Sequence, residues 1–169
     1  IDKPYKHIYQ HLKHGKRRRK RGNRKDTRGI IHYRTSIEHR PLIVQQRTRP
    51  GDIEVDFMMG KNHKGALLVM TERATLYTCL NKLQNRKSDA VSQAIIENLN
   101  KMDYPLHTIT FDNDKGFANH LEVAHALNVT TYFTRPYTSQ DKGTVENRIG
   151  QIRRFFPKKP KLAQSQMAK

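Results

Sequence analysis

The chain has 169 residues, 33 Lys and Arg against 15 Asp and Glu, and a formal net charge of +18. That length suits one domain with an appendage, or at most two small domains, and the apolar share of 35%, though below the roughly 45–50% of an average globular chain, leaves runs long enough for a moderate core. No stretch of about 18 apolar residues offers a transmembrane helix, the polar and basic start does not read as a secretory signal, and a single cysteine, Cys79, excludes an internal disulfide and a multi-cysteine zinc site.

One cysteine fits a reducing intracellular setting, and the charge excess points to a polyanion, most simply nucleic acid. The charge is uneven. Residues 1–50 hold 16 basic residues against three acids, Asp2, Asp26 and Glu38, whereas residues 51–169 hold 17 against 12. The chain therefore divides into a basic connecting and DNA-binding arm over 1–50, a folded domain over 51–157, and a basic tail over 158–169 whose lack of periodicity implies disorder.

Within the arm, Tyr5, Ile8 and Leu12 fall at helical spacing, so a short helix is expected over 4–14, with Gly15 as its stop. His7, His11 and His14 share another face of it, and with no acid or cysteine to support a metal site they read as a solvated face. Lys16, Arg17, Arg18, Arg19, Lys20 and Arg21 form an unbroken basic run, followed by Arg24, Lys25 and Arg28. Such a block repels itself until it meets phosphates, and it is denser than solubility requires, so it reads as a DNA-backbone contact. A short strand is expected over 29–33, then a linker ending at Arg49-Pro50.

From Gly51 the pattern becomes that of a folded domain. Ile53, Val55 and Phe57 alternate with Glu54 and Asp56, which predicts a strand over 52–59. After the polar turn at 60–65, the apolar run 66–70 predicts a more buried strand, and 76–83 a third, so the three form an antiparallel meander. Ser88 is the expected N-cap of a helix that repeats Val91, Ile95, Leu99 and Met102. A short strand over 107–111 runs directly into Asp112. A helix is expected over 117–127 with Phe117, Leu121 and Ala124 inward, then a fifth strand over 129–133 and a loop over 136–142. The last helix, 143–155, carries the stripe Val145, Ile149, Ile152 and Phe156, with Glu146, Gly150 and Arg153 on a neighbouring stripe. A meander followed by alternating strands and helices implies an α/β domain, a mixed five-stranded sheet flanked by helices. Ligand sites in such sheets lie at the carboxyl ends of strands.

Three acids stand out by placement. Asp56 is on the polar side of the first strand, Asp112 ends the fourth, and Glu146 opens the last helix. Each also has an ordinary reading: a solvent-facing strand residue, a turn cap in Asp112-Asn113-Asp114, and a helix-dipole acid. If the first and fourth strands are neighbours, Asp56 and Asp112 lie side by side, and the last helix can bring Glu146 over them. Clustered carboxylates repel one another and are stabilised by cations. Hard divalent cations suit all-oxygen donors, and two of them about 3.5–4 Å apart can activate a water or 3′-hydroxyl and stabilise the leaving oxygen of a phosphodiester.

The stretches Gly51-Asp-Ile-Glu-Val-Asp56, Thr110-Phe-Asp-Asn113 and Pro136-Tyr-Thr-Ser-Gln-Asp-Lys-Gly-Thr-Val-Glu-Asn147, running on to Phe156-Pro-Lys158, resemble the catalytic core of bacterial DDE transposases of the insertion-sequence-thirty family. The upstream Ser36-Ile-Glu-His-Arg-Pro41 resembles that family's approach to the core, and the likeness covers residues 5–159. Thirty-three residues separate Asp112 from Glu146, as in the family, and Arg153 follows Glu146 by seven. The resemblance implies an RNase H-like, retroviral-integrase-like fold. It also implies that Asp56, Asp112 and Glu146 are both the catalytic triad and the ligands of two Mg²⁺ ions, with Mn²⁺ as a substitute. The implied activity is cleavage at transposon ends and transfer of the 3′-hydroxyl to target DNA without a covalent enzyme–DNA intermediate. Asn113 is expected to position Asp112 or a phosphate, and Lys142, Arg148 and Arg153 to hold DNA backbone. The expected partner is double-stranded DNA, both transposon ends and target, bound by a homodimer or larger assembly in the bacterial cytoplasm with the nucleoid.

The sequence departs from the family pattern in places. Ile53 stands where the family has Trp. Asp112-Asn-Asp-Lys-Gly-Phe117 stands where it has Asp-Asn-Gly-x-Glu-Phe, which makes Asp114 an extra possible ligand. The family's end-reading helix-turn-helix region and its further C-terminal helix are not among these 169 residues, so a fragment or truncated copy is expected. Two other readings compete. One is an enzyme of the same fold with another task, a ribonuclease H or a phage-type integrase, against which the run from Lys142 to Asn147 argues. The other is a catalytically inactive DNA-binding remnant that acts through the arm.

Overall fold

A computed structural model describes residues 31–60, 65–136 and 138–157. The expected helix over 4–14, its histidine face, the basic run 16–21 and the tail over 158–169 lie outside the described residues. The elements in chain order are α1 (Leu42–Gln46), β1 (Asp52–Met59), β2 (Ala66–Glu72), β3 (Thr78–Leu83), α2 (Ser88–Leu99), β4 (Thr108–Phe111), α3 (His120–Leu127), β5 (Thr130–Phe133) and α4 (Gly143–Phe155).

The five strands form one mixed sheet in the order β3-β2-β1-β4-β5. β1, β2 and β3 are the expected antiparallel meander. β4 lies parallel to β1, and β5 parallel to β4. Parallel neighbours cannot be joined by a tight turn, so α2 and α3 supply the two crossovers. The junction of β1 and β4 depends on Gly51. Its φ of +103° suits a residue without a side chain, and a Cβ there would lie 2.1 Å from the Pro105 carbonyl oxygen. The Gly51 carbonyl accepts the N–H groups of His107 and Thr108, which starts the two strands side by side.

Strand alternation divides the side chains between two faces. On one face Ile53, Val55, Ile109, Phe111 and Phe133 meet Val91, Ile95 and Leu99 of α2 and Val123 of α3, in the main core. Ile53 is fully buried there. Cys79 is half-buried on β3 and packs against the same core. On the other face Met58, Val69 and Leu67 meet Val145, Ile149 and Ile152 of α4. The stripe read from the last helix therefore covers the face that also carries Glu54 and Asp56.

Several local expectations need correction. Residues 31–34 form a turn rather than a strand, with Tyr33 at φ +57° and Ile31 in the main core. The segment 31–50 is packed onto the domain. Ile37 and Val44 are buried, Ser36 makes an isolated bridge with Phe133, and the Phe133 N–H donates to the Thr35 carbonyl. Lys87, not Ser88, is the N-cap of α2, and Ser88 is already helical. The expected helix over 117–127 is interrupted: Lys115–Phe117 is a 3-10 turn capped by Asp114, and α3 begins at His120. The break resets the helical phase, so Val123 and His120 turn inward while Leu121 is 52% exposed. Phe156 drops from the α4 stripe because it leaves the helical path at φ −119° and ψ +70°, and it is exposed.

Candidate active site

The parallel register pairs Asp52 with Thr108, Ile53 with Ile109 and Glu54 with Thr110. Carried two residues further, that offset sets Asp56 opposite Asp112, the first residue after β4. Asp56 and Asp112 meet at Lys142, the residue that precedes α4. Its Nζ lies 2.9 Å from Asp56 Oδ2 and 3.7 Å from Asp112 Oδ2, and it donates to the Val55 carbonyl at 3.4 Å. Lys142 is 4% exposed. Glu146 is in the first turn of α4, one helical turn past Lys142.

The electrostatics link the same four groups. Burial raises the Asp112 carboxyl above its ordinary range; Lys142 opposes that rise, and Asp56 adds to it. Glu146 is exposed at the surface; its partial desolvation raises its carboxyl, and the charge of Asp56 adds to that against Lys142. Both acids are thus in a place that favours added positive charge. Among the described residues, no three His, Cys, Asp or Glu side chains stand close enough to hold one ion. Asp56 and Asp112 converge on the Lys142 ammonium, with Glu146 on the adjoining helical turn.

Neighbouring residues hold this arrangement. Asp112 Oδ1 accepts the Asp114 N–H at 3.0 Å. Asn113 Nδ2 donates to the Thr134 carbonyl at 2.7 Å, and its Oδ1 accepts from Arg34. Asn113 thereby ties the ends of β4 and β5 together directly behind Asp112. Asp114 faces Arg86 at 2.8 Å and caps the next turn through the Gly116 N–H, so both its oxygens are engaged away from Asp56 and Asp112. Arg135 donates to Asp141 through its backbone N–H, Nε and Nη2, which closes the loop just ahead of Lys142 and holds the Asp141 carboxyl below its ordinary range.

The other expected DNA contacts lie further along α4. Arg148 donates to Gln151 at 2.8 Å. Arg153 Nη2 donates to the Met59 carbonyl at 2.6 Å and anchors α4 to the end of β1. The basic run 16–21 lies outside the described residues. Sequence reasoning missed Glu54, which is fully buried beneath α4. The signal was present in the strand alternation, which puts Glu54 on the same face as Asp56.

A mixed sheet in the order β3-β2-β1-β4-β5, helices on both faces, and Asp56 on β1 beside the Asp112 that follows β4 define an RNase H-like domain. A chain of the simian T-cell lymphotropic virus intasome in complex with PP2A regulatory subunit B56 gamma shares the fold, with a TM-score of 0.52 and 14% identity over 64% of this chain and 43% of that one. No protein-family model matches the chain.

Sequence relatives are more informative. The transposase for insertion sequence element IS4351 of Bacteroides fragilis is 42% identical over 144 residues, 85% of this chain and 44% of the relative. Transposase InsI for IS30A of Escherichia coli K12 is 35% identical over 161 residues, 92% of this chain and 42% of the relative. Over most of its length the chain is similar to insertion-sequence transposases, among which are the IS30 elements. It spans less than half the length of these curated relatives.

Proposed function

We propose that this chain carries the catalytic region of an insertion-sequence transposase. Water attacks the phosphorus at a transposon end, the bond from phosphorus to the 3′ oxygen breaks, and that oxygen takes a proton. The freed 3′-hydroxyl then attacks a target phosphodiester, loses its proton and displaces a second 3′ oxygen. The observation that supports this reading is the convergence of Asp56 and Asp112 on the Lys142 ammonium, with Glu146 on the adjoining helical turn.

The donor set suits a hard cation, because every candidate ligand atom is a carboxylate oxygen. The Lys142 ammonium between Asp56 and Asp112 supports the same conclusion, since a positive charge is accommodated there. Asp56, Asp112 and Glu146 would hold two Mg²⁺ ions, or Mn²⁺, which supply an activated nucleophile and neutralise charge on the leaving oxygen. Asn113 keeps Asp112 in place through the Thr134 carbonyl. The arm, through residues 16–21, holds DNA phosphates, and transposon ends and target DNA are engaged by a homodimer or larger assembly.

The test is strand cleavage and joining on plasmid DNA with Mn²⁺ or Mg²⁺. Metal-dependent products ending in 3′-hydroxyls are expected, lost in Asp112→Asn and Glu146→Gln variants whose circular dichroism matches the parent. DNA binding without cleavage would make the chain a DNA-binding remnant. Cleavage that persists in Asp112→Asn would overturn the site. Neutralising residues 16–21 should weaken binding to all DNA sequences alike, each lost phosphate contact removing about 0.9 from the log–log salt slope.

A further inference from the structure

We infer that Glu54 is a positioning residue that sets α4, and with it Lys142 and Glu146, against Asp56. Glu54 is fully buried on β1, two residues before Asp56 and on the same face of the strand. Its Oε2 accepts the Val145 N–H at 2.8 Å. Val145 is the third residue of α4, and the first N–H groups of a helix have no acceptor within it. Lys142, the N-cap of α4, makes no side-chain cap hydrogen bond. The helix therefore takes its cap from a strand across the interface rather than from its own sequence, and the carboxylate sits at the positive end of the helix dipole.

A buried carboxylate is tolerated when it is paired. Arg73, 5% exposed, pairs with Glu54 through Nη1, and its Nε donates to the Val44 carbonyl of α1 at 3.1 Å. One connected set of polar groups thus runs from the 31–50 segment through Arg73 and Glu54 to the backbone one residue before Glu146. Packing of Val145, Ile149 and Ile152 sets which face of α4 meets the sheet, and the Glu54 hydrogen bond fixes the height of the helix along β1.

This inference rests on the proposed metal-binding role of Asp56, Asp112 and Glu146, so its test uses two readouts. Four proteins are compared: the parent, Glu54→Gln, Asp112→Asn, and a double variant carrying Glu54→Leu with Arg73→Met. The double variant fills the same space with apolar side chains and keeps the core packed. Amide exchange at Val145 is read without metal, and Mn²⁺ affinity by titration. The double variant is expected to stay folded, to exchange Val145 faster, and to bind Mn²⁺ about tenfold more weakly. Glu54→Gln keeps one amide oxygen for the Val145 N–H but turns its NH2 toward Arg73, so it should recover part of both. A folded double variant with parental exchange and parental Mn²⁺ affinity would overturn the role of Glu54. Asp112→Asn binding Mn²⁺ like the parent would instead overturn the metal site, while faster Val145 exchange in the double variant would still support the positioning of α4.

Discussion

Lys142 Nζ stands 2.9 Å from Asp56 Oδ2 and is buried against two aspartates that the parallel register of β1 and β4 brings together. The ammonium offsets their mutual repulsion, and its own burial is offset by them and by the Val55 carbonyl.

Lys142→Ala should therefore leave Asp56 and Asp112 facing each other with no counter-charge. Breaking a buried pair by removing one partner is strongly destabilising, so a loss of about 2–4 kcal/mol is expected without divalent cation. Urea denaturation of the parent and variant measures it. Equal midpoints would mean that the two contacts contribute nothing to stability.

The raised Asp112 carboxyl has a pH signature. Its folded-state value lies above the ordinary 3.8, chiefly because burial disfavours the charged form. Between 3.8 and the raised value the folded state binds more protons than the unfolded state. Stability contributed by the protonated group is therefore lost as pH rises through that window. Asp112→Asn has no such dependence. In chelator, the melting temperature of the parent should fall relative to that of Asp112→Asn on going from acid to neutral pH. A gap that stays constant over the range would contradict the shift. The parent should fall relative to Glu146→Gln as well, and by less, because Glu146 is raised but exposed.

Gly116 is a packing requirement. A Cβ there would lie 2.8 Å from Phe57 Cζ. The Phe57 ring cannot yield freely, because it stacks on Phe117 at 4.5 Å between centroids and carries the Arg86 guanidinium 5.7 Å from its centre. Gly116→Ala should cost about 1–3 kcal/mol, as overpacking does. Phe57→Leu should remove most of that cost when the two changes are combined. A double-mutant cycle in thermal or urea unfolding gives the answer, and strict additivity would rule out the clash. The departure at residues 114–117 is thus locally coherent: Gly116 makes room for Phe57, while Asp114 binds Arg86 and caps the turn.

Much of the fold was legible because it is written in local patterns. Alternation of Ile53, Val55 and Phe57 with Glu54 and Asp56 marks β1, and the 3.6-residue repeat of Val91, Ile95 and Leu99 marks α2. Val145, Ile149 and Ile152 mark α4 with the bounds the helix has. The helix at 117–127 was misjudged because an apolar repeat carries no information about where a turn interrupts it. Asp114 capping Gly116 ends one turn, α3 starts anew at His120, and Val123 replaces Leu121 on the buried face.

The sequence by itself determined the five strands of the sheet, two of the helices that cover it, the basic arm's charge and the element or turn to which each acid belongs, since all of these follow from neighbours within a few residues. Only the tertiary structure decided that β4 lies parallel beside β1 and that Lys142 comes to stand between Asp56 and Asp112. It also decided that Glu54, an ordinary acid on a strand, is the buried cap of α4. These relationships join residues 30 to 91 positions apart. Their energy comes from burial, hydrogen bonding and charge between segments that meet only when the sheet forms, and no local periodicity encodes which segments will meet.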